Sequence, residues 1–325
     1  MDFDVWVPLL LPLAAWPLAR LVAPRLGPRE ASWLLTAGCL VLAAGSTLTL
    51  ALLAFTGLTL VPAIARAGHW SPDVLRLSDP VSIPASAACG LVLAGLAAGF
   101  IRAAIGYARW IRALTRELDQ HSLEPGVVIL PGAEPVAFAA PGRGGRIAIS
   151  TGMLSALLPR ERTALLAHER AHLRLRHHHF LIAITLAGTL NPLLRPLCAA
   201  ARYALERWAD EAAARHVGDR TVVAHAVAKA ALAGRARSGF ALAATGGPVP
   251  RRVTALLTTQ RRRLPAALIA AALVLGTTAW SAQTALDSVT DLQGTIESAQ
   301  AGPAGPRQPH TPHSGVKHAG HQQTQ

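Results

Sequence analysis

Residues 165–179 read LLAHERAHLRLRHHH and place five histidines and one glutamate in fifteen positions. Within them, His168-Glu169-Arg170-Ala171-His172 has the pattern H-E-x-x-H. On a helix, side chains four residues apart share a face, so both imidazoles can reach one ion. Glu169 lies one residue on, at the rim of that face, where a water held in the site would sit. Imidazole and carboxylate are ligands that suit zinc, and a catalytic zinc keeps one position open. A third ligand is therefore sought downstream. Glu206 opens E-x-x-x-D, with Asp210 one turn later in LERWADEAAA. Glu206 can complete a His₂Glu set while Asp210 hydrogen-bonds a ligand imidazole from behind. The competing meaning of these two acids is an ordinary solvated helix face.

Several elements must hold these residues. The runs 126–132, 136–142 and 146–150 are short, β-rich and broken by Pro and Gly, and the turn PGRGG (141–145) joins the last two as a hairpin. Two helices are expected next, the first capped by Ser150 or Thr151, the second entered at Pro159 and carrying the histidines. Residues 202–218 form a strong helix closed by Gly218, and 221–234 another closed by Gly234. A loop is expected over 235–250, and from 299 the chain is low in complexity and lacks the apolar content to fold alone. His177, His178 and His179 could form a second metal site, but the expectation is that they cap a helix C-terminus and meet lipid headgroups.

Apolar blocks surround this middle region. Residues 5–19, 31–65, 80–101 and 264–286 carry no charge, and mean hydropathy is +0.34. A membrane-spanning helix needs about 20 apolar residues. Spans are expected near 4–22, 32–56, 83–105 and 264–285, the first interrupted by Pro8, Pro12 and Pro17. The run 180–197 is too short in its uncharged part and contains Asn191-Pro192, so it reads as a helix docked on the bilayer or a re-entrant turn. Arg20, Arg25 and Arg29 follow the first span, Arg102, Arg109, Arg112 and Arg116 the third, and Arg251, Arg252, Arg261, Arg262 and Arg263 precede the fourth. By the positive-inside rule the middle region is cytoplasmic, while the N-terminus and tail are outside. The same distribution accounts for the net charge of +13. No basic stripe interleaved with aromatics is present, so the partner implied is the bilayer and not nucleic acid. The three cysteines give no disulfide framework.

The fold class expected is thus a mostly α membrane protein of about four transmembrane helices, with an α+β domain between the third and fourth. Residues 1–116 make the membrane region, 117–263 the cytoplasmic domain, 264–286 the fourth helix and 287–325 a disordered external tail.

The combination AFAAPGRGGRIAISTGML, LLAHERAHLRLRHH and ERWADEAAA resembles the integral-membrane zinc metallopeptidases of the BlaR/MecR antirepressor type. More distantly it resembles the HtpX protease and the CAAX prenyl protease. The resemblance covers about residues 126–234 and implies a zincin-like (gluzincin) domain. It implies one Zn²⁺ bound by His168, His172 and Glu206, with Glu169 as general base and Asp210 as the orienting acid. It further implies an extended substrate pairing with the edge of a strand, for which RIAIS (146–150) is the candidate, and an oxyanion donor among His216 and the cytoplasmic arginines.

The tail departs from the penicillin-sensing members, which carry a large sensor there; SGVK (314–317) matches S-x-x-K formally but lacks a domain around it. Its histidines, His310, His313, His318 and His321, fit a solubilising tail or weak metal binding. Three functions compete: a regulatory protease whose partner is a transcriptional repressor or similar protein, a quality-control protease of HtpX type, and a catalytically silent metal-binding scaffold. Glu169 argues against the third, because a structural zinc site has no use for that base. Oligomeric state is not legible.

Overall fold

The computed structural model describes residues 7–22, 25–59, 83–121, 126–142, 144–235 and 248–258, with isolated positions besides. The expected fourth span and the tail, including its histidines, lie outside the described residues.

Three helices come first: α1 (Val7–Val22), α2 (Pro28–Thr59) and α3 (Ile83–His121). Two of them, α2 and α3, are long and apolar enough to cross a membrane. The described part of α1 is 16 residues with Pro12 and Pro17 inside, short of the roughly 20 that a span needs. On α3, Leu91, Val92, Ile101 and Ile105 are exposed, and on α2 so are Leu40, Leu48 and Phe55. Apolar belts of this extent are what a bilayer covers. α3 continues through the basic 102–116 segment without a break, so the expected helix leaving the membrane is its second half.

Three strands follow: β1 (Gly126–Leu130), β2 (Ala137–Ala140) and β3 (Arg146–Ser150). The hairpin is as expected, with Ala137 opposite Ile149 and Ala140 opposite Arg146 in antiparallel register. The edge assignment is not. β1 pairs with β3 in parallel, Val128 opposite Ala148, which makes the order β1-β3-β2. RIAIS is therefore the central strand, and the outer strand beside the histidines is β2.

Ser150 then starts α4 (Thr151–Ala156), its hydroxyl accepting from Met153 N–H. Pro159 at the first helical position sets α5 (Pro159–Arg174). α5 ends where Arg176 turns the backbone into the left-handed region, φ 53°, and α6 (His177–Leu190) starts at once. Asn191 closes α6: its Oδ1 accepts from Leu193 N–H at 3.0 Å, and its Nδ2 donates to Ser46 Oγ on α2 at 2.9 Å. The apolar 180–197 run is thus a helix packed on α2 and α3, a turn at Pro192–Leu194, and the start of α7 (Arg195–Val217). Gly218, φ 75°, ends α7 as expected, because the left-handed C-cap suits a residue without Cβ. α8 (Arg220–Arg235) and α9 (Pro248–Leu257) complete the described chain. α9 falls partly where a loop is expected.

The cores are small-residue interfaces. α7 packs on α2 through Leu35, Cys39, Leu42, Ala201, Ala204 and Leu205. Within this interface the Sγ of Cys198 lies 3.6 Å from that of Cys39. Ala164, Ala167, Ala213, Val223 and Ala224 bring α5, α7 and α8 together. Alanine lets helix axes approach closely, and that approach brings the histidines of α5 to the acids of α7.

Candidate active site

α5 presents His168 and His172 on one face, and α7 presents Glu206 and Asp210 on the face opposite. The Nε2 atoms of the two histidines lie 3.1 Å apart. Glu206 Oε2 is 3.6 Å from His168 Nε2, and its Oε1 is 3.5 Å from His172 Nε2. One ligand atom from each of the three lies within 4.8 Å of the others. Two imidazole nitrogens and a carboxylate converging in this way form a donor set that fits a single zinc ion. Asp210 stands behind: its Oδ1 is 3.0 Å from His168 Nδ1, and the residue is 1 % exposed. The solvated-face alternative for Asp210 is thereby removed.

Glu169 is buried beside the cluster and lines the clefts on both sides of it. Burial pushes its carboxyl above the ordinary glutamate value, against the pull of His168 and a hydrogen bond from Ala139 of β2. Burial lowers the imidazole of His172, to about 3, with the charge of His168 adding to it. At His168 burial acts in the same sense, but Asp210 and Glu206 outweigh it and raise the value to about 10. Glu206 and Asp210 are also penalised by burial, yet the facing imidazole and arginine hold both well below the carboxylate range.

That arginine is Arg252 on α9, which the sequence offers only as one of a basic pair. Its Nε and Nη2 donate to Oδ2 and Oδ1 of Asp210 at 2.8 and 2.7 Å, and its Nη1 lies 2.8 Å from Glu206 Oε2. A signal was available in principle: an arginine in PVPRRVTALL, spaced to face the core. Nothing local links it to residues some forty positions earlier. His216, by contrast, is exposed and sits with Arg170 and Arg174 around a separate cavity, so it is not an oxyanion donor for this site.

The histidine run also departs from expectation. His177 does not cap a helix against lipid; it begins α6 and is 0 % exposed. Its Nδ1 lies 3.0 Å from the Nδ1 of His172, and its ring packs on Trp208 at 5.0 Å. Burial lowers its imidazole to about 4, so it is neutral at pH 7. His178 borders the cleft along β2, and His179 is exposed.

Two clefts meet at Glu169. One of about 320 Å³ runs along β2, past Phe138 and Pro141 to Leu173 and Leu181. The other, about 360 Å³, continues past Met153, Leu165, Val223 and Val227 to Arg252. Both are lined by Ala137 of β2, His168, Glu169 and Glu206, so the donor cluster and the buried carboxylate lie where they meet. The site thus combines a paired H-E-x-x-H helix, a third carboxylate on a second helix and an adjacent strand edge.

Part of the chain matches a known family. Residues 107–202 match the model of Peptidase family M48, the family that includes the HtpX and CAAX proteases. This is under a third of the chain; it contains His168, Glu169 and His172 and ends just before Glu206. Peptidases of that family are zinc-dependent metallopeptidases. No curated protein and no solved structure matches the chain.

Proposed function

We propose that this chain is a membrane-embedded zinc metalloendopeptidase that cuts a protein substrate in regulated proteolysis or signalling. The observation that carries the reading is the convergence of His168, His172 and Glu206 within 4.8 Å, with buried Glu169 beside them. His168, His172 and Glu206 would hold one zinc ion, and Asp210 would fix the ring of His168. When bound, zinc supplies Lewis acidity, lowering the pKa of water toward about 7 and polarising the scissile carbonyl.

The chain's own residues do the rest. Glu169 takes a proton from the attacking water and returns it to the leaving amine. Its raised carboxyl pKa suits both halves of that exchange, because it binds a proton more readily than an exposed glutamate. The substrate lies extended along β2, pairing with its free edge by β-augmentation. Arg252 secures both acids and faces the second cleft, where it is the cation best placed to meet developing negative charge.

The proposed arrangement in the membrane follows the charges: residues 117–263 as a cytoplasmic domain, and 264–286 as a returning span. An antirepressor role of BlaR/MecR type, with a transcriptional repressor as substrate, rests on the sequence resemblance quoted above.

The test is zinc stoichiometry measured beside proteolysis of a model substrate in detergent. E169Q should abolish cleavage with zinc content near wild type. H168A, H172A and E206A should lose metal and activity together. An E169Q chain that remains fully active would refute the hydrolytic reading.

A further inference from the structure

We infer that His177 is a positioning residue for the ligand imidazole of His172, holding its tautomer and ring plane as Asp210 does for His168. The inference rests on the zinc reading above. Its own ground is the 3.0 Å separation of the two Nδ1 atoms. At that distance one nitrogen carries the hydrogen and the other accepts it. His172 turns its Nε2 toward Glu206 and His168, 3.5 and 3.1 Å away. An imidazole that offers its Nε2 lone pair keeps its proton on Nδ1. His172 is therefore the donor, and His177 accepts at Nδ1.

The geometry around His177 is built for this one contact. The two rings meet nearly edge to face, with centroids 4.8 Å apart and planes at 84°. Trp208 and Phe180 confine the His177 ring from the other sides, at 5.0 and 6.3 Å. Accepting at Nδ1 leaves the hydrogen on Nε2, and among the described residues that buried Nε2 has no hydrogen-bond partner. An unsatisfied buried N–H is destabilising, so phenylalanine would serve better if the position were only packing. Continuing α5 would not give this contact, since five residues along a helix rotate a side chain by about 140°. The left-handed turn at Arg176 folds His177 back beneath His172.

The two ligand histidines are thus supported differently. His168 leans on a carboxylate that is itself clamped by Arg252, whereas His172 leans on a neutral ring. A neutral partner fixes orientation without adding negative charge behind the site.

The test uses the full chain in detergent. Zinc affinity is read by competition with a chromophoric chelator, ligand geometry from the visible spectrum of the cobalt-substituted protein, and folding from the thermal midpoint of metal-free protein. H177F keeps the aromatic volume and removes the acceptor; H177N puts an amide oxygen close to the place of Nδ1. H177F should weaken zinc binding by about 10–100-fold, the range for lost outer partners of ligand histidines, and alter the cobalt spectrum, without lowering the midpoint. H177N should recover most of the affinity. If H177F does not fold, H177N is compared with H177Q, whose oxygen falls nearer Nε2; only H177N should bind zinc well. Wild-type affinity and an unchanged spectrum in H177F would overturn the inference and leave the zinc reading standing. Equal weakness in H177N and H177F would also overturn it, in favour of packing. A wild-type chain whose zinc does not depend on His168 and His172 would instead sink the zinc reading, and this inference with it.

Discussion

Arg252 donates two parallel hydrogen bonds to the buried carboxylate of Asp210, at 2.8 and 2.7 Å, while Asp210 itself faces His168 Nδ1 at 3.0 Å. A residue of α9 therefore braces the imidazole of α5 through an acid of α7. The fork geometry of a guanidinium matches a carboxylate in a way an ammonium cannot. Removing Arg252 would strand a carboxylate that is 2 % exposed. R252M is expected to destabilise the protein by about 3–5 kcal/mol, as breaking a buried ion pair does, and to lose most activity. R252K should fall between R252M and wild type. In the double variant D210N/R252M the loss should be smaller than the two single losses added together, because the stranded charge has gone. Thermal midpoints and activity of wild type, R252M, R252K, D210N and the double variant check this; strict additivity would mean the pair is not coupled.

The ligand pattern was legible because it is local. H-E-x-x-H and E-x-x-x-D each need only helical spacing, and the structure places both pairs as that spacing requires. Arg252 and His177 were not legible for opposite reasons. Arg252 reaches the site by packing between helices far apart in sequence, and one arginine among several beside a membrane span looks like topology. His177 is near in sequence, and a helix end is expected there, but nothing in LRLRHHH shows that one left-handed residue turns the chain back toward His172. The hairpin was readable from PGRGG; the central place of β3 depends on the parallel pairing of β1, which no turn encodes.

The turn itself can be tested. Arg176 sits at φ 53°, ψ 41°, with an exposed side chain. For a residue with Cβ the left-handed conformation costs roughly 1–2 kcal/mol, and a β-branched residue tolerates it least. R176G should therefore be at least as stable as wild type, while R176V should lower the thermal midpoint and, by displacing His177, weaken zinc binding. A midpoint for R176V equal to that of R176G would show that the turn is not held in this conformation.

Glu161 gives a pH-dependent prediction away from the candidate donor cluster. Its carboxylate accepts from Leu158 N–H at 2.8 Å at the start of α5 and pairs with Lys229 Nζ at 2.7 Å. Burial alone would raise its pKa, but Lys229 and the Leu158 amide outweigh burial and lower it below the ordinary 4.5. A carboxyl depressed in the folded state adds stability that is complete above the unfolded pKa and is lost as pH falls through the folded one. The midpoint of wild type should thus exceed that of E161Q by a constant margin near neutrality, and the margin should shrink below about pH 4.5. A margin independent of pH between 7 and 3 would contradict the assignment.

Orientation in the membrane is the prediction most open to a direct answer. α2 and α3 are apolar enough to span, and the arginines at 102–116 lie in the second half of α3, toward the candidate site. The run 264–286 has no charge and is preceded by Arg261, Arg262 and Arg263. Basic residues flanking a span stay on the cytoplasmic side, so a reporter fused after His121 and one fused after Gln300 should report opposite compartments. The consequence reaches the chemistry: with the site on the cytoplasmic side, an added protease that cannot cross the membrane should spare residues 126–258 in intact spheroplasts and cut beyond 290. Reporters agreeing at both positions would mean that 264–286 does not cross, and the placement of the protease domain would have to be redrawn from the first three helices alone.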